Sequence, residues 1–127
     1  MLTNLKVGPF AYGPAGLISL HRYSVDGSIA IQVVDEETGE PLLTASVNMP
    51  GKPLASDEVC LKSWSENEGC EEAFLKAGFV KPTEDMRASG YAAATVFKLV
   101  GPLKDWANKL PTIHEYEVAA KLGISLD

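Results

Sequence analysis

The stretch SWSENEGCEEAFLKAGF, residues 63–79, holds the densest group of side chains that could do chemistry in this sequence. Seven consecutive residues supply four carboxylates and one thiol, from Glu66, Glu68, Cys70, Glu71 and Glu72. Glu68 and Glu72 stand one helical turn apart and could share a hard cation, but Ca²⁺ needs six or more oxygens from a shaped loop. No histidine follows at the Glu-x-x-His spacing of a di-iron site. The spacing therefore predicts no metal site and no acid–base pair here.

The same stretch has the pattern of a well-capped helix over residues 65–77. Ser65 as N-cap puts Glu68 at the third helical position, which completes a capping box. Carboxylates in the first turns complement the positive end of the helix dipole. Gly69 is unfavourable inside a helix and indicates close contact with a neighbouring strand. Small and apolar residues recur at the spacing of a buried stripe, at Cys70, Ala73, Phe74 and Ala77.

The remaining nucleophiles and bases are few and widely spaced. The chain has two cysteines and two histidines, Cys60, Cys70, His21 and His114. A Cys–His pair can be written down, but no spacing supports it, and the four residues match no zinc pattern. Phosphate-binding glycine loops and the Gly-x-Ser-x-Gly elbow are absent from the sequence. We predict no catalytic residue, no metal ligand and no cofactor.

Composition narrows the function classes. The chain has 127 residues, 46% hydrophobic and 22% charged, which is typical of one globular domain. A net charge of −6 argues against nucleic-acid binding, which needs a basic face, and suits a basic protein partner. No signal peptide or membrane-spanning run is visible, so we expect a cytoplasmic protein with free thiols and no membrane contact. A Cys60–Cys70 disulfide is geometrically possible but disfavoured in that compartment.

Period-2 patterns predict strands at residues 17–24, 28–34, 42–49, 59–64 and 91–100. Asp26-Gly27 is a strong hairpin signal, and residues 80–90 are expected to form a loop. We expect an α+β fold: an antiparallel sheet of four to five strands, one helix packed on a face, and a short C-terminal helical segment. The single domain, residues 1–127, would comprise an irregular segment at 1–16 with a short possible strand at 3–7, the α+β core at 17–100, and a helical extension at 101–127.

The C-terminal extension should contain a helix that begins at the cap Thr112 and ends at Gly123. Its apolar face would dock on the sheet through Tyr116, Ala119, Ala120 and Leu122.

Two acidic groups are the candidate binding residues. One lies in a predicted turn, at Asp35, Glu36, Glu37 and Glu40, and the other on the outer side of the predicted helix, at Glu66, Glu71 and Glu72. Charged turns and helix faces usually only solvate a domain, so steering of a basic partner and simple solvation both remain open. An apolar binding surface, at the Phe10–Tyr12 loop or the Trp106 helix, is the alternative if the partner is acidic.

Three segments carry a resemblance to other proteins: VDEETGEPLLTASVNMP, LASDEVCLKSWSENEG and ASGYAAATVFKLV. With them, residues 17–100 resemble a poorly characterised family of small proteins found largely on bacterial plasmids, phages and related elements. That family has no accepted activity, so the resemblance transfers no functional residue.

Two function classes follow. The first is a non-enzymatic acidic module that binds a protein, such as an inhibitor that a mobile element directs against a host defence system. The second is a small enzyme whose site converges only in three dimensions, for example at His21, Cys60 and a glutamate. A crevice that collects those residues would favour the enzyme, and a flat acidic face or an exposed apolar patch would favour binding.

Overall fold

The computed structural model describes residues 1–126. Within them the chain forms seven β-strands and three α-helices, which confirms the α+β class, with the strands in two antiparallel sheets. In chain order the elements are β1 (Leu2–Val7), β2 (Gly16–Arg22), β3 (Ile29–Val34), β4 (Pro41–Thr44), β5 (Glu58–Cys60), α1 (Cys70–Lys76), β6 (Val80–Ser89), β7 (Ala92–Leu99), α2 (Gly101–Ala107) and α3 (Ile113–Leu122).

The first sheet is a meander in the order β1-β2-β3-β4. The predicted hairpin joins β2 to β3, and its ladder pairs Ile18 with Val33 and Leu20 with Ile31. These four side chains are buried, because period-2 alternation turns one face of each strand toward the core. β1 adds an edge strand, so only the part of the N-terminal segment after Val7 is irregular.

The second sheet has the order β5-β7-β6, and β6 corrects the predicted loop at residues 80–90. The sequence hides this strand because Val80 is its one fully buried residue and most of the rest is exposed. Pro82 also argued against a strand. It is tolerated because β6 is an edge strand that pairs only with β7, and the register shifts between Pro82 and Met86.

The two sheets meet just after the C-terminal ends of β4 and β5. The strand predicted at residues 42–49 stops at Thr44, and Ser46 then forms a bridge with Leu61. Lys62 N donates to Ala45 O at 2.8 Å across the same junction. One hydrophobic core contains buried side chains from both sheets and from α1 and α2, including Ile31, Val59, Phe74, Phe97 and Leu103.

The helix predicted over residues 65–77 begins four residues later than expected, because its N-cap is Gly69 and not Ser65. Residues Ser65–Asn67 form a 3₁₀ turn, here called the Ser65 turn, and α1 starts at Cys70. Ser65 has φ +56°, whereas an N-cap residue needs extended backbone, and no side-chain cap bond forms. Asn67 accounts for the late start of α1, because its side chain is 1% exposed and its Nδ2 donates to Thr44 O at 2.7 Å.

Gly69 takes the N-cap position of α1 with φ +86°, a conformation that glycine adopts without strain. A Cβ on Gly69 would lie 3.5 Å from Ala11 N. The close neighbour is therefore the N-terminal loop and not a strand. Cys70 and Phe74 are buried as predicted, Ala73 is half-buried, and Ala77 is exposed.

The C-terminal helix confirms its predicted ends. Thr112 Oγ1 accepts from Glu115 N at 3.1 Å, and Gly123 closes α3 with φ +68°. Fewer of its side chains are buried than predicted. Of the four expected contact residues, Ala119 alone is buried, Tyr116 is half-buried, and Ala120 and Leu122 are exposed. None of the helices in residues 1–126 is long and apolar enough to cross a bilayer.

Candidate functional site

A cleft of about 540 Å³ opens beside the Ser65 turn, and we call it the Trp64 cleft. It combines two aromatic side chains, two hydroxyl side chains and two carboxylates, contributed by Tyr12, Ser63, Trp64, Ser65, Glu66 and Glu68. Binding sites typically combine an apolar or aromatic wall with a few convergent polar groups. The Trp64 cleft has that composition and adds net negative charge.

The N-terminal loop, residues 8–15, forms one wall of the Trp64 cleft. Phe10 anchors this loop because its ring is buried in the core and its N–H donates to Gly13 O at 2.9 Å. Tyr12 projects outward and is 72% exposed. Its hydroxyl donates to Glu68 Oε2 at 2.9 Å, so a bond between residues far apart in sequence fixes the orientation of both side chains.

One lysine at the edge of the Trp64 cleft contacts a carboxylate of its lining and lies near the Trp64 ring. Lys62 Nζ lies 2.6 Å from Glu66 Oε1 and 6.0 Å from the centroid of the Trp64 ring. The hydrogen bond from Lys62 holds the pKa of Glu66 below its usual value. The hydrogen bond and charge of Glu68 raise the pKa of Tyr12. In the part of the chain that the structure describes, Glu68 has no ion pair.

A second cleft of about 460 Å³ adjoins the first and shares Ser63 and Trp64 with it. Its other lining residues are Tyr91, Ala92 and Ala93 at the start of β7, and we call it the Tyr91 cleft. Tyr91 is fully exposed at the tip of the β6–β7 hairpin. Trp64 therefore separates an acidic aromatic cleft from an apolar one.

The acidic residues predicted near the helix lie in different surroundings. Glu66 lines the Trp64 cleft. Glu71 is half-buried, and burial raises its pKa although a hydrogen bond with Ser63 opposes the rise. Glu72 is exposed on α1. The structure therefore brings Glu66 into the cleft and Glu71 into contact with its Ser63 wall.

The other predicted acidic group, the turn at residues 35–40, is not part of either cleft. Asp35 Oδ1 accepts from Glu37 N at 2.8 Å and from Thr38 N at 2.9 Å, and these bonds lower the pKa of Asp35. Glu36 pairs with Lys6 at 3.1 Å, while Glu37 and Glu40 are exposed. The turn is therefore an acidic surface separate from both clefts, with one ion pair to β1.

The residues of the enzyme hypothesis are not assembled. His21 lines a cleft of about 340 Å³ between the β2–β3 hairpin and α3, together with Tyr116 and Glu117, and His21 Nε2 lies 2.8 Å from Ser19 Oγ. Cys60 does not line that cleft, because it is buried in the other sheet on β5. Burial raises the pKa of its thiol, which disfavours the reactive thiolate.

The thiol of Cys70 is also buried. Both cysteines are free, and burial raises the pKa of Cys70 to about 12. Across residues 1–126, no three His, Cys, Asp or Glu side chains are grouped to hold a metal ion.

The sequence indicated the Phe10–Tyr12 loop only as an alternative apolar surface, and it did not mark Glu68 or Tyr91 as site residues. The available signal was the context of the two tyrosines: Tyr12 lies in a loop rich in Gly and Pro, and Tyr91 follows Gly90. Such turn positions lie on the surface, where an aromatic side chain is free to contact a partner. Of the two alternative apolar surfaces, the Phe10–Tyr12 loop buries Phe10 but exposes Tyr12 in the Trp64 cleft. Trp106 is half-buried, with Lys109 Nζ 4.5 Å from its ring centroid.

Comparisons of the chain with protein-family models, with curated proteins and with solved structures give no match.

Proposed function

We propose that this protein is a non-enzymatic binding module that holds a basic protein partner on the surface around Trp64. One observation carries the proposal: Tyr12, Trp64 and Tyr91 frame two adjoining clefts, and Glu66 and Glu68 give one of them negative charge. Tyr and Trp dominate the residues that contribute most to protein–protein binding, since each offers a large rigid surface with a polar tip.

The charge distribution supports a basic partner. The net charge of −6 produces a long-range field that attracts positive proteins and raises their association rate. The turn at residues 35–40 adds four carboxylates to that field, of which Glu36 is already paired with Lys6. We therefore assign steering to Glu37 and Glu40 first, and contact to the Trp64 cleft.

The resemblance to proteins of plasmids and phages gives the proposal a biological direction. A protein of a mobile element that binds without catalysis acts by occupying a surface of a host protein. In this proposal the partner is a basic component of a bacterial defence system, and the acidic surface competes with the nucleic acid that such a component normally holds.

The test begins with affinity capture from a bacterial host and continues with the purified partner. Trp64→Ala should weaken binding at least tenfold, which is the behaviour of a residue at the centre of an interface. The double variant Glu37→Lys and Glu40→Lys should slow association and weaken its dependence on ionic strength, with little effect on dissociation.

The matched control is Glu84→Lys, which changes an exposed carboxylate on β6 outside both clefts. A captured partner with an acidic binding surface contradicts the proposal, and so does full-strength binding by a folded Trp64→Ala variant.

A further inference from the structure

We propose that the Trp64 cleft holds one arginine side chain of the partner, and that the Tyr91 cleft holds an apolar side chain two residues away on the same extended segment. This inference rests on the proposed function and names the chemistry that the surface recognises.

The charge balance of the Trp64 cleft calls for a single cation. Its lining contains two carboxylates, Glu66 and Glu68, and no basic residue. Lys62 at the edge neutralises Glu66 at 2.6 Å. Glu68 instead accepts a neutral hydrogen bond from Tyr12, and within residues 1–126 no cation pairs with its carboxylate.

The aromatic walls favour arginine over lysine. A guanidinium is planar, stacks on aromatic rings and can bind a carboxylate through two N–H groups, whereas an ammonium is a compact and strongly hydrated point charge. Lys62 Nζ already lies 6.0 Å from the Trp64 ring centroid, so this ring has a cation beside it within the chain itself. Tyr12 offers a second ring next to the carboxylate of Glu68, and in residues 1–126 no cation lies over that ring.

Two hydrogen bonds orient parts of the Trp64 cleft within the chain itself. The Tyr12–Glu68 hydrogen bond fixes the carboxylate, and the bond from buried Asn67 to Thr44 O fixes the Ser65 turn beneath it. A site that needs no rearrangement avoids the entropy loss of ordering its side chains when it binds.

The apolar neighbour follows from the geometry of an extended peptide. Side chains at positions i and i+2 of a strand point the same way and lie about 6.6 Å apart. The Tyr91 cleft shares Ser63 and Trp64 with the Trp64 cleft, and its remaining lining is Tyr91, Ala92 and Ala93. Because the two clefts share this wall, we assign them to neighbouring same-face side chains of one segment, with the pattern arginine-x-leucine.

The experiment follows the indole N–H signals of the two tryptophans by NMR, with Trp106→Phe used for assignment. The probes are blocked five-residue peptides with leucine at position 4 and arginine, lysine or citrulline at position 2. Citrulline keeps the shape of arginine and removes its charge. We expect the arginine peptide to shift the Trp64 signal in a saturable manner, the lysine peptide to bind several-fold more weakly, and the citrulline peptide to bind at least tenfold more weakly.

Protein variants locate the contact. Glu68→Gln should weaken the arginine peptide about tenfold or more, because it removes the ionised acceptor and keeps the shape of the side chain. Glu84→Gln is the matched control, since it removes an equal charge from an exposed position outside both clefts, and should leave binding unchanged. Equal binding of arginine and citrulline peptides overturns the inference, as does equal loss in the two glutamine variants.

The outcomes also separate this inference from the proposed function. Failure of the arginine peptide to shift Trp64, combined with loss of the captured partner in Trp64→Ala, overturns the arginine assignment and leaves the binding module standing. A partner that binds folded Trp64→Ala at full strength overturns the binding surface itself.

Discussion

The turn at residues 35–40 and the segment at residues 65–72 have similar charge, and the fold gives them different surroundings. Each holds four carboxylates. The turn stands apart from both clefts, while Glu66 and Glu68 of the segment face two aromatic side chains.

The difference lies in how each backbone is held. Asp35 bonds to residues two and three positions away, so the side-chain hydrogen bonds of the turn are local. The Ser65 turn depends on distant partners: Asn67 reaches Thr44, and Glu68 reaches Tyr12. The turn at residues 35–40 can attract a basic partner through its charge. The Trp64 cleft, whose side chains are held by long-range hydrogen bonds, can also select a partner by the shape of its side chains.

The largest expected effect is on stability, from removal of the buried Phe74 ring on α1, the helix that follows the Ser65 turn. Phe74→Ala should lower the free energy of unfolding by about 3–5 kcal/mol, because the ring is fully buried against both sheets. Chemical denaturation measures the loss. Leu75→Ala, on the same helix but 41% exposed, is the control and should change stability little. Equal losses in the two variants would mean that α1 buries a different face.

The second prediction compares the long-range anchor with a local one. Asn67→Ala should cost about 1–3 kcal/mol, since it leaves the Thr44 carbonyl without its buried donor. Thr38→Ala removes a bond within the exposed turn, from Glu40 N to Thr38 Oγ1, and should cost less than about 0.5 kcal/mol. Denaturation midpoints compare the two variants. If Thr38→Ala proves the more costly, the contrast between the two acidic segments fails.

A third pair of variants compares a helix cap with the Ser65 turn. Thr112→Ala should destabilise the protein by about 1 kcal/mol, because its hydroxyl oxygen caps α3. Ser65→Ala should stay within about 0.5 kcal/mol of the parent, because Ser65 makes no cap bond. Loss of about 1 kcal/mol in Ser65→Ala would instead support the capping box that the sequence predicts.

The smallest expected effect is the loss of stability that the turn at residues 35–40 causes when the pH falls. Hydrogen bonds from two backbone N–H groups lower the pKa of Asp35 below its ordinary value of 3.8. Its contribution to stability is therefore complete above that value and is lost as the pH falls through the lower, folded-state pKa. Asp35→Asn should reduce stability at neutral pH, and the gap to the parent should narrow as the solution is acidified. A gap that stays constant down to about pH 2 would show that ionisation of Asp35 is irrelevant to the turn.

Features that depend on neighbouring residues were predictable from the sequence. Thr112 and Gly123 end α3 where predicted, because capping bonds join residues three or four positions apart. The Asp26-Gly27 signal gives the β2–β3 hairpin, since turn geometry depends on a few adjacent residues. Alternating apolar residues give the antiparallel strands and thus the α+β class.

The start of α1, the existence of β6 and the composition of the Trp64 cleft depend instead on contacts between distant parts of the chain. At the Ser65 turn, a local capping signal lost to the buried bond between Asn67 and Thr44, because an unsatisfied buried polar group costs more than a cap contributes. β6 is held by its ladder with β7 rather than by burial of its own side chains. Tyr12 and Glu68 are 56 positions apart, and no local pattern encodes a contact between residues that only the folded core brings together.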